Sequence, residues 1–153
     1  MSEAFSPPDA FYGGGLCFSC TRCSACCRLE PGYVFLSKKD ADTLASRLKI
    51  EYNEFIKVYC RWISGFGGAA RLSLKEKADY DCIFWKEGCT VYGARPRQCR
   101  DFPFWRELLS SRESWDAAAL ACPGIGKGRR YGRRYIEARL RERQREPIIE
   151  KAP

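Results

Sequence analysis

Four thiols fall within the eight residues Cys20-Thr-Arg-Cys-Ser-Ala-Cys-Cys27, in a chain that contains no histidine. Six more cysteines follow the same economy: Cys17 just before the run, then Cys60, Cys82, Cys89, Cys99 and Cys122. Cysteines at this density mean disulfides, metal or redox chemistry. The N-terminal text, M-S-E-A-F-S-P-P-D-A, has neither a basic n-region nor an apolar h-region, and no run approaches the length of a bilayer span. The reading is therefore a cytoplasmic, reduced chain with no membrane segment. In that setting clustered thiolates repel one another unless a cation neutralises them, which favours metal.

The spacing narrows the metal. Cys20, Cys23 and Cys26 form a continuous C-x2-C-x2-C, whereas zinc sites usually take two ligands from each of two separate knuckles. Three thiolates in that spacing resemble the bacterial ferredoxin run, whose fourth ligand is a cysteine followed by proline; Cys122-Pro123 is the sole Cys-Pro here. A [4Fe–4S] cluster is the favoured cofactor, with Cys20, Cys23, Cys26 and Cys122 as candidate ligands, and zinc is the alternative. Adjacent Cys26 and Cys27 are expected to project in different directions and so to serve two centres.

The cysteine run and its companions together resemble a known family. Cys20-x-x-Cys23-x-x-Cys26-Cys27, Cys82, Gly88-Cys89-Thr90-Val91-Tyr92, Arg95-Pro96-x-x-Cys99-Arg100-Asp101-Phe102-Pro103-Phe104 and Cys122-Pro123-Gly124 carry the likeness. It is to the bacterial and archaeal zinc- or iron-chelating cysteine-cluster proteins known by the CxxCxxCC signature. The resemblance spans about residues 16 to 128. It implies a metal-chelating domain whose eight ligands are Cys20, Cys23, Cys26, Cys27, Cys82, Cys89, Cys99 and Cys122, often described as an iron–sulfur protein, with no settled reaction. Cys17 and Cys60 fall outside the eight and read as small buried hydrophobes.

The expected fold is α+β: a small, helix-rich single domain with few short strands, organised around cysteine-ligated metal. Its parts are an irregular lead-in over 1–15, the metal-binding domain over 16–128 and a basic helix or tail over 129–153. Ser37 and Asp40 make a capping box before a helix over about 38–49. A second helix is expected over about 53–63, ended by Gly65, Gly67 and Gly68, then a short strand at Arg71–Leu74. Cys82–Trp85 and Cys89–Tyr92 suggest a small hairpin. Pro96 opens a helix carrying Cys99, which Pro103 restarts or kinks before Trp105, Leu108 and Leu109.

Around the thiols, Arg95, Arg97 and Arg100 could neutralise a negative cluster, and Asp101 could pair with one of them. The nearby aromatics, Phe84, Trp85, Tyr92, Phe102, Phe104 and Trp105, suit either a dry shell about a metal or an ordinary core. G-I-G-K-G at 124–128 misses the phosphate-loop and dinucleotide spacings and reads as a turn. The absence of histidine excludes Ser-His and Cys-His nucleophilic machinery, so no self-sufficient catalytic set is evident.

Charge is uneven along the chain. Residues 127–153 hold ten Lys or Arg against four Glu, a net of +6, while residues 1–126 hold seventeen basic against fifteen acidic, a net of +2. From about Arg133 a helix is expected, with Tyr135, Ile136 and Leu140 as an apolar stripe and a Glu137–Arg141 pair. The expected partners are an unidentified protein and, through this basic tail, nucleic acid bound weakly, without sequence preference and with strong salt sensitivity. Truncation after Gly128 is expected to abolish that binding and leave the metal site.

Overall fold

A computed structural model describes residues 7–28 and 31–152. The strands are β1 (Leu16–Phe18), β2 (Cys60–Phe66), β3 (Ala69–Leu74), β4 (Arg129–Tyr131) and β5 (Glu150–Lys151). The helices are α1 (Lys38–Leu48), α2 (Tyr52–Tyr59), α3 (Arg97–Asp101), α4 (Arg112–Ala121) and α5 (Arg133–Arg145), with short 3-10 turns at Ala25–Cys27 and Tyr92–Ala94. Five helices and two small sheets make the α+β class that was expected. Contacts divide the chain into two compact units, each assembled from separated segments: residues 1–25 with 101–145, and residues 26–100 with 146–153.

In the second unit, α1 starts where the sequence says it must. Ser37 Oγ accepts from the Asp40 amide at 3.1 Å, and Asp40 Oδ2 accepts from the Ser37 amide at 3.0 Å. The other oxygen of Asp40 accepts the Arg97 amide at 2.8 Å, so one buried carboxylate caps α1 and anchors the start of α3, two residues before Cys99. Replacing Asp40 with Ala removes the cap and strands a buried amide at α3. The expected cost is roughly 2–3 kcal/mol, read as a shift in the urea midpoint.

The second helix is shorter than expected. Cys60–Ile63 leave α2 for β2, which pairs antiparallel with β3 in the register Cys60↔Leu74 and Trp62↔Leu72. Alternation explains the switch: Cys60 and Trp62 share a face with Leu72 and Leu74, and Gly67-Gly68, both at positive φ, make the tight reversal that hairpins need. That face covers Phe55, Leu36 and Leu44, all fully buried. Cys60 belongs to this core, as expected of a buried hydrophobe, and burial pushes its thiol up to about 12. The unfolded thiol ionises near 9, so the folded protein binds this proton more tightly, and its contribution to stability is present below pH 9 and lost as pH rises towards 12. Alkaline unfolding should therefore be steeper in the parent than in Cys60→Ala, with the denaturation midpoint followed between those limits.

Residues 82–92 form no two-stranded hairpin. They make consecutive turns with a single bridge, Trp85↔Cys89, because Phe84 turns inward and its carbonyl accepts both the amide and the hydroxyl of Thr90, at 2.9 and 2.8 Å.

In the first unit, β1 pairs antiparallel with β4, Leu16 opposite Tyr131 and Cys17 opposite Arg130. Its core gathers Tyr12, Leu16, Phe104, Trp115, Ile125 and Ile136. The expected restart of α3 after Pro103 does not occur. Phe104 instead leaves the helix to stack on Trp115 at 5.9 Å, and the next helix waits for Ser111, whose side chain caps α4 by accepting the Ser114 amide. That Ser-x-x-Ser cap was the overlooked signal. The terminal helix starts at Arg133 as expected, but Glu137 pairs backwards with Arg133 at 2.7 Å rather than forwards with Arg141. Ile136 is fully buried and Leu140 nearly so, which builds α5 into the core.

The turn at 122–128 has a packing reason. A Cβ at Gly124 would run into the Ser19 carbonyl oxygen, and one at Gly128 into the Ser19 side chain. Gly128 also needs its positive φ of 73°. The Ser19 amide donates to the Gly124 carbonyl at 3.1 Å, so the glycines let the end of β1 lie directly on the Cys122-Pro-Gly loop. No helix among the described residues is long and apolar enough to cross a membrane.

Candidate metal-binding cysteines

Both compact units carry cysteines of the signature. Cys20, Cys23 and Cys122 belong to the first, with Cys17; Cys26, Cys27, Cys82, Cys89 and Cys99 belong to the second, with Cys60. None of the ten is in a disulfide.

In the first unit, the loop leaving β1 holds Arg22 at φ 56° and Ser24 at φ 68°. Left-handed backbone is uncommon for such residues. Here it folds the chain tightly after Cys20, whose sulfur accepts the Arg22 amide at 3.4 Å. Amide-to-sulfur bonds of this kind stabilise a thiolate and tune an iron–sulfur centre. Cys20 and Cys23 are exposed and Cys122 half-buried. Cys122 follows the last turn of α4, its amide bonded to Ala118 at 3.0 Å. Cys17 sits in β1, and its carbonyl accepts the Gly126 amide at 2.9 Å.

In the second unit, three segments distant in sequence carry the five remaining thiols of the signature. The 3-10 turn at Ala25–Cys27 sets the sulfurs of Cys26 and Cys27 3.9 Å apart, where adjacent side chains were expected to diverge. The Cys27 carbonyl accepts the Cys82 amide at 2.8 Å. Arg28 reinforces that junction: its Nε donates to Asp81 at 3.2 Å, and its guanidinium lies 3.8 Å from the centre of the Trp85 ring. Trp85 bridges to Cys89, and α3 supplies Cys99.

The hydrogen bond between Cys26 and Cys27 holds one proton for both: it lowers Cys26 and raises Cys27, which burial raises further. Cys99 keeps part of its surface, yet it is so closely surrounded that burial drives its thiol up, helped by the charges of Cys82, Cys26 and Cys89. Burial also raises Cys82, and Cys89 and Cys26 add to it. Burial and neighbouring charge thus hold Cys27, Cys82 and Cys99 in the thiol form, and a cation beside them would favour their ionisation.

The fit to a metal is one of donors gathered but not closed. Among the described residues, no three Cys, Asp or Glu side chains converge tightly enough to hold one ion. The Cys26–Cys27 separation of 3.9 Å is nevertheless close to the edge of about 3.8 Å that a tetrahedron with metal–sulfur bonds of about 2.3 Å requires. The donor set is all sulfur, which suits zinc and iron–sulfur centres.

The arginines divide. Arg95 favours the ionised forms of Cys26 and Cys99, and it is held by its own Nε on the Tyr92 carbonyl at 2.9 Å. Arg97 is buried and directed to Glu146 at 3.3 Å, and Arg100 is exposed. Asp101 is buried beside Arg139 of α5, at 3.9 Å, which sequence reasoning did not foresee. The aromatics divide too: Phe84 stacks with Tyr59 at 5.1 Å in the second unit's core, while Phe104 belongs to the core of the first.

A family model described as "CxxCxxCC: putative zinc- or iron-chelating domain" matches residues 19–123. The chain belongs to this family. The matched span takes in all eight cysteines of the signature and leaves Cys17 outside. A protein of Methanocaldococcus jannaschii, named only as uncharacterized protein MJ0661, is 33% identical over 96 residues. That alignment takes in 61% of this chain, which spans about half, 48%, of the relative's length. No solved structure matches.

Proposed function

We propose that this member of the CxxCxxCC family binds iron as an iron–sulfur cluster, favoured as [4Fe–4S], and serves electron transfer or cluster-dependent chemistry with a partner protein. The pairing of the Cys26 and Cys27 sulfurs at 3.9 Å, on a segment tied to the Cys82 loop by the Cys82 amide and by Arg28 on Asp81, is the observation that supports a metal centre most directly. The unbroken C-x2-C-x2-C and the Cys122-Pro123 pair favour iron over zinc.

The chain's own residues have definable work. Arg95 offsets negative charge near Cys26 and Cys99. Arg28 and Asp81 tie the Cys27 segment to the loop of Cys82 and Cys89. Phe84 and Trp85 keep water from one side of that loop. An iron–sulfur centre held there would supply one-electron redox chemistry, with a potential set by the hydrogen bonds and burial of its sulfurs.

A second reading is favoured by one distance: the Cys26–Cys27 edge suits a single tetrahedral zinc ion whose role is to hold the fold while the protein binds another macromolecule. Anaerobic purification with iron, acid-labile sulfide and zinc analysis separates the two. A brown protein with equal iron and sulfide supports the cluster. A colourless protein loaded with zinc defeats it and leaves the cysteine assignment standing.

A further inference from the structure

The segment from β4 through α5 carries nine Lys or Arg against two Glu over residues 127–145, a net of +7. In the folded first unit this charge is ordered on rings. The Arg129 guanidinium lies 5.3 Å from the centre of Tyr131, and Tyr131 meets Tyr135 at 4.7 Å. Arg139 lies 5.3 Å from Tyr135, and Arg143 lies 5.8 Å from Trp105. Tyr135, Arg139 and Arg143 recur every four residues and so share one face of α5, over a length of about 12 Å. Tyr135 is 41% exposed, so part of its ring is open to solvent. Glu142 pairs with Arg139 at 2.9 Å and is the acid on that track, with buried Asp101 beneath it.

A solvated helix needs no such order. Basic residues on a helix that merely faces water spread around its polar side, as Arg134 and Arg141 do here. A row of guanidinium groups alternating with tilted, part-exposed aromatic rings offers phosphate contacts and stacking planes in turn. Bases laid against Tyr131 and Tyr135 would bring their phosphates within reach of Arg129, Arg139 and Arg143. Duplex nucleic acid hides its base faces and cannot use the rings.

We propose that the β4–α5 face of the first unit is a binding track for single-stranded nucleic acid, without sequence preference. The charge complementarity is that of a polyanion, and the rings select one whose bases are free to stack. Three phosphate contacts imply that the logarithm of affinity falls with the logarithm of salt at a slope of about −2, at roughly 0.7 per phosphate for single strands.

The test is fluorescence anisotropy of the full, metal-loaded chain with labelled oligo(U) and oligo(dT) of about twenty nucleotides, at about 50 mM salt and upwards. Duplex DNA and phosphatidylserine vesicles serve as competitors. Charge reversal at Arg129→Glu with Arg143→Glu should weaken binding at least about tenfold and flatten the salt slope. The pair Arg134→Glu with Arg141→Glu changes the net charge equally and should cost less than about threefold. Tyr135→Ala should weaken binding about fivefold and Tyr135→Phe should restore it, because stacking needs the ring and not the hydroxyl. Circular dichroism melts of all variants must match the parent within a few degrees. Should Tyr135→Ala melt early, Tyr135→Leu, which keeps apolar bulk without a ring, replaces it. Absence of binding, equal losses from the two charge pairs, indifference to the loss of the Tyr135 ring, or vesicles competing as well as oligo(U) would each overturn the proposal. Preference for oligo(U) over oligo(dT), or the reverse, decides only which single strand is held.

Discussion

Deleting residues 129–153 is expected to unfold the first unit rather than merely to strip a charged appendage from it. The segment supplies β4, the strand that pairs with β1, and α5, whose Ile136 is fully buried and Leu140 6% exposed. Removing a buried Ile or Leu side chain costs about 2–5 kcal/mol each, and a domain has about 5–15 kcal/mol in hand. The deletion takes both, together with the β1–β4 ladder, and should abolish the cooperative thermal transition of this unit. It also removes β5, which pairs with β3 in the second unit at Ala70↔Lys151 and Arg71↔Glu150, so that unit should melt earlier as well. The milder Ile136→Ala should lower the melting temperature by about 4–20 °C, at roughly 2–4 °C per kcal/mol for a chain of this size. A truncated chain that melts within a few degrees of the parent would show that α5 only rests on the surface. The same cut tests the expectation that removal of everything after Gly128 spares the metal site, since loss of the metal on truncation would place the tail in the core.

Metal removal is expected to be the other large effect. If Cys27, Cys82, Cys89 and Cys99 ligate, their binding free energy is folding free energy, which for structural zinc in small peptides reaches about 10–16 kcal/mol. The second unit will not lose all its structure, because Phe55, Leu36, Leu44 and Leu72 form a fully buried core without help from a metal. Chelation under reducing conditions should therefore lower the melting temperature by at least about 10 °C while most helical signal from α1 and α2 survives at low temperature. Hydrogen exchange should accelerate first around residues 82–90, where turns rather than a ladder hold the backbone. Cys99→Ser should reproduce the loss of metal and of stability together, and Cys60→Ser should retain the metal. Acid should assist release, since protons compete for the same sulfurs. A melting temperature indifferent to chelation would detach the metal from the fold.

What the sequence made legible follows from what local text can encode. The capping box at Ser37 and Asp40, the start of α5 and the Arg71–Leu74 strand are written in neighbouring residues, and they form where expected. The family is written in cysteine spacing. The β2 strand was read as helix because Phe55, Ile56 and Tyr59 continue smoothly into Cys60 and Ile63, and only the partners Leu72 and Leu74 decide the matter. Similarly, nothing near Asp40 announces that its second oxygen will hold the Arg97 amide, 57 residues away. The closeness of Cys26 to Cys27 depends on a single 3-10 turn. The spacing of Ile136 and Leu140 announced an apolar stripe on the basic helix, and the structure buries both in the core that holds Trp115 and Leu16.

The contact of Ser19 with Gly124 and Gly128 has a consequence for how the protein comes into being. Chains emerge from the ribosome from the N-terminus at about 5–20 residues per second. The signature thiols at residues 20–27 are therefore in the open for about 5–20 s before residue 124 exists to receive the backbone beside them. The strand partner of β1 comes later still, and so does Ile136. Through that interval the most cysteine-dense stretch of the chain lacks its folded partners, and any ion it captures is held by a nascent peptide rather than by the finished fold. Metal acquisition is thus set against the clock of translation: a loading step must either follow release of the chain or shield Cys20 to Cys27 until the distal half arrives.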